Sequence, residues 1–522
     1  MENFKEIALA EYNSDTKTVR RAGTNGKPFW NINSSQFMFV PQFQFPNIPG
    51  AKSYIYTATD SNGNTHKFED NSPIAALTPI WGDIAVGYVT LEVAAVHKRG
   101  GEPILAGTRT FYKSAPFPGR NNLPVRARSY KESALMALHY IFKDPSTNCW
   151  LTDNAPDPEY YHNVFPSKMI SSIIGAMVYL AKLEPNMKDE ALQLAKNAAD
   201  YLLSITYTEG SPLKGLPPTY TMKGLDRDAI FKISRANIHV YDSRKDTCMM
   251  IYPAMVGSAY IKLADATGNE KYLTATKEIA EYYAANVLPC GSWYLLVNEP
   301  TGTPTSENIC VNFSILNFLN EYYNHTGDER FAVLEKNYYE YIEKTCLDQY
   351  NWEGQFEDTR LAGNYDNLTH FNANNMINYI TEHFVDDQNK ISEAETLMRF
   401  VEDQFVVWGE HASWNPFLNS GDYWYSPAAL EQYAWYVPID GSTGAVMKAF
   451  VNLYKATKNP LLLEKACALG DSITRLQNAD SGVYPTHWMT RDCMTNLQNF
   501  WINCHIGTAF SMLTLAEAIG EI

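Results

Sequence analysis

The amino-acid sequence predicts a mainly helical protein, an (α/α)6 toroid preceded by a small β-sandwich. The hydrophobic period changes from two residues in the first part of the chain to a helical period from about residue 128 onward. The helical part then repeats one unit: a helix, a short polar turn, a second helix and a long loop rich in glycine, proline and aromatic residues. We expect an N-terminal extension over residues 1–26, the β-sandwich over 27–118 and the barrel, with the functional site, over 119–522.

The first region alternates apolar and polar residues in the manner of β-strands. Its segments QFMFVPQFQF, KSYIYTATD, VGYVTLEVAAV and ILAGTRTFY are rich in β-branched and aromatic residues, and turn sequences such as SNGN and KRGGE separate them. The stretch around Leu77, Trp81 and the strand that begins at Gly87 resembles a fibronectin type III module. The resemblance implies a β-sandwich of roughly 90 residues with Leu77 and Trp81 in its core. Because no cluster of functional residues appears in this region, we expect the β-sandwich to have a packing or docking role.

The second region contains twelve predicted amphipathic helices. The turns within its hairpins are alike, as in ADATGNEKYLTAT and YNHTGDERFAVLE. An open solenoid would need polar terminal repeats, whereas both terminal helices are apolar, so we expect the last helix to pair with the first and close a ring. The helices are predicted near 130–142, in pairs at about 168–205, 250–287, 311–346, 371–407 and 441–475, and at about 504–520.

The six long loops are expected to gather at one end of the toroid, where they would surround the mouth of the inner helices. Function commonly lies on loops that a rigid scaffold carries. Several loops contain a glycine-x-aromatic element, such as Gly291-Ser-Trp293 or Gly482-Val-Tyr484, which we interpret as a turn with an aromatic in the funnel wall. The loops span 144–167, 206–248, 288–310, 347–370, 408–440 and 476–503.

The composition excludes several classes of function. The net charge of −16 and the lack of a basic run argue against nucleic-acid binding, which depends on clustered Lys and Arg. The eight cysteines are spread singly without a CxxC pair, so the sequence predicts neither a disulfide framework nor a zinc ribbon, and we expect no metal and no cofactor. Aromatic residues make up 13% of the chain; many are expected in the core, and soluble proteins that stack sugar rings also carry this bias.

The sequence has no apolar run long enough to span a membrane. Its first residues, MENFKEIALAEYNSD, lack the apolar stretch of a secretory leader, which predicts a cytoplasmic protein, or a periplasmic one if a leader was removed. The sequence marks no subunit interface, and formation of a homo-oligomer is left open.

A small N-terminal sandwich, a helical toroid, GxW and GxF loops and a terminal WINCHIGTA helix together resemble carbohydrate-active enzymes of gut bacteria. The family that the pattern resembles most is the β-glucuronidase family, glycoside hydrolase family 154. The pattern is similar more distantly to unsaturated glucuronyl hydrolases and to toroidal polysaccharide lyases. The resemblance implies a glycan partner and, most specifically, an exo-β-glucuronidase acting on uronic-acid-containing glycans.

Glycoside hydrolysis requires one carboxylic acid that protonates the leaving oxygen and a second carboxylate that activates water or attacks the sugar. A uronic acid also requires a cation, preferably arginine. The loops carry acids and arginines side by side, as in NWEGQFEDTR, and we expect Asp242 or Glu357 to belong to the facing pair. The catalytic candidates are Asp242, Glu353, Glu357, Asp358 and Asp492. The substrate-binding candidates are His239, Arg244, Trp293, Arg360, His370, Trp414, Trp435, His487, Trp488, Arg491 and His505.

Three other functions are compatible with the same loops. A lyase would need a base at C5, which His370 near Asn372 and Asn374, with Tyr423 or Tyr433, would supply. An epimerase would use a histidine pair such as His239 and His487. A non-catalytic glycan-binding protein would use the tryptophans alone, but binding alone does not require the surplus of carboxylates.

Overall fold

The computed structural model of the protein describes residues 3–14, 34–349, 351–358, 367–409, 424–433, 435–488 and 500–522. The predicted site residues Arg360, Trp414, Arg491 and Asp492 lie outside this part of the chain, as do Tyr423 and the side chain of Trp435. The helices are α1 (Phe4–Tyr12), α2 (Thr78–Trp81), α3 (Tyr130–Lys143), α4 (Pro145–Thr152), α5 (Pro166–Leu183), α6 (Lys188–Ile205), α7 (Arg227–Ile233), α8 (Arg235–Arg244), α9 (Ile251–Thr267), α10 (Glu270–Asn286), α11 (Phe313–Thr326), α12 (Glu329–Glu343), α13 (Phe371–His383), α14 (Gln388–Phe405), α15 (Asp440–Thr457), α16 (Pro460–Leu476) and α17 (Ile502–Ala518).

The helices form a closed ring of two layers. The inner helices are α5, α9, α11, α13, α15 and α17; each packs against the next, and α17 packs against α5. The outer helices α6, α10, α12, α14 and α16 each follow their inner partner in a hairpin, while α3 packs on α17. The mainly helical toroid predicted from the sequence is therefore confirmed, including its closure by the last and first helices.

Local turn chemistry explains why the hairpins form where the sequence predicts them. Gly268 and Gly327 end α9 and α11 in the left-handed conformation, with φ of 68° and 70°. The next residues, Asn269 and Asp328, accept hydrogen bonds from backbone N–H groups in the first turn of α10 and α12. A left-handed glycine followed at once by a capping side chain is the most compact way to end one helix and start another.

The N-terminal region contains a five-stranded sheet in the order β1-β7-β6-β3-β4 and a separate two-stranded ribbon of β2 and β5. Strand β1 runs parallel to β7, and the other pairs are antiparallel. Phe43 of the ribbon packs on Phe37 and Phe111 of the sheet. A sheet is present, but the predicted β-sandwich is not confirmed. The strands are β1 (Gln36–Phe37), β2 (Gln42–Gln44), β3 (Ala51–Thr59), β4 (Thr65–Asp70), β5 (Ile74–Ala76), β6 (Gly87–His97) and β7 (Ile104–Lys113).

The sheet docks on the toroid through outer helix α14. The buried Asp403 accepts hydrogen bonds from the backbone N–H groups of Met38 and Phe39, both at 2.7 Å. Gln404 and Gln36 exchange side-chain to backbone hydrogen bonds at 3.0 and 3.1 Å. Burial raises the pKa of Asp403 to about 6, because these partners only partly replace its lost hydration.

The glycine-x-aromatic elements form turns and walls, as their sequence indicates. Gly291 and Gly482 have φ of 87° and 84°, and a Cβ at either position would meet a backbone carbonyl oxygen of the next outer helix at 2.9 and 2.6 Å. Trp293 follows the first turn and is buried against Tyr283 and Tyr338.

None of the described helices combines the length and the apolar composition needed to cross a membrane.

Candidate active site

The candidate active site is a cavity of about 520 Å³ at the end of the ring where the inner helices begin. That volume is within the range of small-molecule sites. Five of the long loops and the first turns of the inner helices meet there, with two further short strands, β8 (Ala428–Gln432) and β9 (Trp435–Pro438), on one side. The polar lining residues include His162, Lys168, Asn237, Tyr252, Asn312, Gln355, Asp358, Asn375, Glu431, His487 and Asn503.

A buried ion pair at the cavity joins elements that are far apart in sequence. Lys168, in the first turn of α5, places its Nζ 2.5 Å from Glu357 Oε1, and the Glu357 side chain is completely buried. The second carboxylate oxygen accepts the hydroxyl hydrogen bond of Tyr252, from the start of α9. Lys168 Nζ also lies 4.7 Å above the centre of the Trp501 ring. Both oxygens of Glu357 are therefore engaged.

Asp358 and Glu431 present carboxyl groups to the same cavity. Burial, and next the negative charge of Glu357, raise the pKa of Asp358 to about 6. Burial, and next the charge of Asp358, raise the pKa of Glu431 to about 8. Near neutral pH the fold therefore favours a protonated Glu431 beside an ionised Asp358. Two carboxyls with pKa values pushed apart by their surroundings have the protonation states that an acid and a base require.

Lys168 remains a cation in this cluster. Burial acts to lower its pKa, but the negative charges of Glu357 and Asp358 outweigh burial and raise it. Among the described residues that line the cavity, Lys168 is the only lysine or arginine. The part of the chain that the structure describes contains no group of three His, Cys, Asp or Glu side chains arranged to bind a metal ion.

Arg244 supports the segment that carries the acids. Its guanidinium donates to the backbone carbonyl oxygen of Glu357 at 2.7 Å and contacts the hydroxyl of Tyr220 at 3.4 Å. Tyr220 donates to the same carbonyl at 3.1 Å. Arg244 is not among the residues that line the cavity, so the structure places it behind the acids, where it fixes their backbone.

Of the predicted site residues, Asp358 and His487 line this cavity, and Glu357 contacts the lining residues Lys168 and Tyr252. Asp242 lies elsewhere, on the exposed side of α8, where its carboxylate pairs with Arg227 at 2.6 Å and its side chain is 42% exposed. The sequence predicts a loop over 206–248, whereas residues 235–244 form a helix that turns this acid to solvent. His239, on the same helix, is also exposed.

Two further candidates lie near the cavity without lining it. Glu353 is buried and borders a separate groove of about 1060 Å³ formed with the 287–291 and 307–311 segments. His370 is completely buried, its Nδ1 accepts from Asn374 at 2.8 Å, and burial lowers its pKa to about 3. Tyr433 contacts Ser34 and Gln404 at the junction with the sheet. The base proposed for a lyase is therefore not assembled at the cavity by His370 and Tyr433.

Three other predicted binding residues have structural partners. Trp293 donates from Nε1 to the Tyr283 carbonyl at 2.9 Å, and Trp488 donates to the Pro485 carbonyl at 3.1 Å. His505 accepts the Tyr484 backbone N–H at 3.1 Å on Nδ1, and its Nε2 lies 2.9 Å from the Ala137 carbonyl oxygen. These three side chains form part of the buried wall and do not line the cavity.

Lys168, Glu431 and His162 were not selected from the sequence. Lys168 is a lone cation at the start of an apolar helix, and nothing local connects it with Glu357, 189 residues away. Glu431 offers one usable signal, because it is the only charged residue in the apolar strand AALEQ. A charge in a strand that is otherwise buried is a candidate for function.

No protein-family model matches the chain, and no curated protein matches it in sequence. Similar folds occur among solved structures. The cellobiose 2-epimerase of Spirochaeta thermophila aligns with a TM-score of 0.51 and 13% identity over 75% of this chain and 98% of its own. A family 76 glycoside hydrolase from a bovine Bacteroides thetaiotaomicron strain aligns with a TM-score of 0.45 and 10% identity, over 92% of this chain and 95% of its own. An unsaturated glucuronyl hydrolase specific for heparin aligns with a TM-score of 0.44 and 11% identity, over 75% of this chain and 97% of its own. At these identities the likeness shows the fold alone.

Proposed function

We propose that the protein is a glycoside hydrolase in which Glu431 is the general acid and Asp358 is the ionised carboxylate that activates water or attacks the anomeric carbon. The observation that carries the proposal is the pair of cavity carboxyls whose pKa values are raised to about 8 and about 6. The protonated carboxyl can protonate the glycosidic oxygen while the ionised one faces the sugar.

Glu357 has a different role in this proposal. Because Lys168 and Tyr252 occupy its two oxygens, it is not placed to exchange a proton with a substrate. Its negative charge contributes to the raised pKa of Asp358, and its backbone is held by Arg244. We therefore assign Glu357 as a positioning residue that tunes the adjacent Asp358.

For the substrate we propose a glycan that contains uronic acid, and exo-β-glucuronidase as the specific activity. Lys168 and the N-terminal ends of the inner helices supply positive potential at the cavity. The sequence contains two further candidate cations outside the described residues, Arg360 two positions after Asp358 and Arg491 four positions after His487. A chain of net charge −16 needs a local cation, such as Lys168, to admit an anionic sugar.

A panel of p-nitrophenyl glycosides tests the reaction and the substrate together. The β-glucuronide and the β-glucoside differ only in the group at C6, and we expect at least about 10-fold higher kcat/KM for the glucuronide, as for other buried charge-assisted contacts. Equal rates would leave the hydrolase and remove the uronate assignment. Absence of p-nitrophenol release across the panel would overturn the hydrolase proposal. Ultraviolet absorbance of a conjugated double bond on a polyuronate would identify a lyase.

A sugar epimerase is the second candidate, because two histidines meet at the cavity. His162 and His487 both line it, and the charge of His487 contributes, after burial and Lys168, to a lowered pKa of His162. Two imidazoles on one substrate can remove and return a proton at the carbon next to a carbonyl group. Solvent deuterium at one sugar carbon after incubation in heavy water, without bond cleavage, would favour this reaction over hydrolysis.

We expect a bell-shaped pH dependence of kcat/KM. Activity should rise as pH increases through about 6, because Asp358 must ionise, and fall as pH increases through about 8, because Glu431 must keep its proton. The measurement is the initial rate on an unactivated disaccharide, whose leaving group requires the acid, between pH 4 and pH 10, roughly two units beyond each limb. An optimum at or below about pH 5 would contradict the assignment of these two carboxyls.

A further inference from the structure

His162 lies at the cavity with one side of its ring already fixed. It belongs to a short 3-10 turn, Tyr161–Val164, that immediately precedes α5. The side chain is 1% exposed, and its ring centre lies 3.6 Å from that of Trp501, with an angle of 33° between the planes. The imidazole therefore has a single well-packed orientation beside the cavity that it lines.

Hydrogen bonds from α8 determine which nitrogen of His162 carries the proton. The Asn237 amide nitrogen donates to the Tyr161 carbonyl oxygen at 3.1 Å, and the amide oxygen lies 3.1 Å from Ser234 Oγ, which donates to it. These two contacts fix the orientation of the amide, so the group 3.1 Å from His162 Nδ1 is a donor. Nδ1 must accept, and the proton of the neutral imidazole is on Nε2.

The Nε2–H group has no hydrogen-bond acceptor among the residues that the structure describes. Burial, with the charges of Lys168 and His487, lowers the pKa of His162, which keeps the ring neutral. A buried N–H without a partner is rare in folded proteins and costly. At the wall of a cavity, such a donor is explained by a ligand that accepts from it.

An unused acceptor lies beside the same tryptophan. The side-chain oxygen of Asn503, two residues after Trp501, is buried and has no donor within the described part of the chain. Asn503 also lines the cavity. A hydroxyl group both accepts and donates, whereas a carboxylate only accepts and would be repelled by the amide oxygen. The donor and acceptor together fit neutral sugar hydroxyls.

We infer that His162 Nε2–H donates a hydrogen bond to a substrate hydroxyl, that Asn503 accepts one from the same or the adjacent hydroxyl, and that Asn237 sets the required tautomer. The inference rests on the proposed function in one respect, that the ligand is a sugar. It adds neutral groups that recognise hydroxyls to a cavity whose charged groups are Lys168 and the acids.

The tautomer can be measured without any substrate. We expect the ¹⁵N NMR signals of His162, identified by their loss in His162→Gln, to show a neutral ring protonated on Nε2 at pH 7, well above its lowered pKa. In Asn237→Asp the new carboxylate should accept from Nδ1–H, and the signals should move to the other tautomer or to the cation. A wild-type ring protonated on Nδ1 would overturn the inference, whatever reaction the enzyme catalyses.

The sugar contact is tested by a matched pair of variants. The Gln amide of His162→Gln can place a donor near the original Nε2, whereas that of His162→Asn reaches only the Nδ1 position. We expect kcat/KM on p-nitrophenyl β-glucuronide to fall about 10- to 100-fold in His162→Asn and less than about 5-fold in His162→Gln, since one buried neutral hydrogen bond is lost or kept. Equal losses in both variants, or no loss in either, would overturn the assignment.

Binding measurements separate this inference from the proposed reaction. Titration with glucose, glucuronic acid and their monodeoxy forms, followed by tryptophan fluorescence, requires no turnover. The wild type should bind one monodeoxy form at least about 10-fold more weakly than the parent sugar, and His162→Asn should not make that distinction. If the distinction persists in His162→Asn, or the wild type makes none, His162 does not read a hydroxyl. That result would leave the hydrolase proposal standing.

Discussion

Replacing Asp358 by Asn is expected to lower kcat by about 10³-fold or more, and replacing Glu431 by Gln by about 10²- to 10⁴-fold, the usual range for acid and base groups. Each substitution keeps the size of the side chain and removes its ability to exchange a proton. The two residues line one cavity and their pKa values differ by about two units, from about 6 to about 8. Steady-state kinetics on an unactivated disaccharide, whose leaving group requires protonation, measures the effect.

The leaving group distinguishes the two roles. p-Nitrophenol departs with little help from an acid, whereas a sugar alkoxide requires protonation. Glu431→Gln should therefore impair an unactivated disaccharide much more than the p-nitrophenyl glycoside, and Asp358→Asn should impair both substrates alike. If the loss on the disaccharide relative to the p-nitrophenyl glycoside is the same in both variants, the assignment of Glu431 as the acid is contradicted.

Control variants separate lost chemistry from lost structure. Asp265→Asn and Glu517→Gln make the same chemical changes at side chains that are 60% and 64% exposed, and should leave kcat within about 2-fold, as usual for surface positions. The fold raises the pKa of Asp358, so it disfavours the ionised carboxylate, and stability should fall as pH rises through about 6. Asp358→Asn should consequently melt at the same temperature as the wild type, or higher, at pH 8.

The toroid was predictable because its determinants are local and repeated. Turn glycines such as Gly268 and caps such as Asn269 specify each hairpin within a few residues, and the same signal recurs along the chain. The position of Asp358 at the cavity was predictable for a similar reason, since adjacent acids beside an arginine on a long loop are visible in one segment. The N-terminal sheet was less predictable, because strand alternation does not specify how strands assort between layers.

The missed residues depend on distant contacts. Lys168 meets Glu357 only when the ring brings α5 against the 351–358 segment, and Glu431 reaches the cavity only when β8 enters its wall. Asp242 shows the reverse case: its motif resembles a functional loop, but a pair of short helices, α7 and α8, joins it to Arg227 at the surface. Spacing in sequence identified a candidate acid, and helix geometry decided where it points.

Replacing Lys168 by Met is expected to destabilise the fold by about 3–5 kcal/mol, the cost of leaving a buried charge without its partner. The Glu357 side chain is fully buried and that of Lys168 is 15% exposed, so solvent does little to compensate for the lost cation. Lys455→Met is the matched control, because its pair with Glu517 is exposed and should contribute less than about 1 kcal/mol. Chemical denaturation of both variants measures the difference.

The same substitution should change the pH profile in a defined direction. The charge of Lys168 acts to lower the pKa of Asp358 and of Glu431, so its removal should move both limbs of the profile to higher pH. Lys168→Met combined with Glu357→Gln removes the charges of both signs, retains the contact with Tyr252, and should recover much of the lost stability and return the limbs toward their original positions. If both limbs of the pH profile stay in place in Lys168→Met while stability falls, the role of Lys168 is structural only. If they move and the double variant restores them, the buried ion pair sets the protonation states on which the proposed reaction depends.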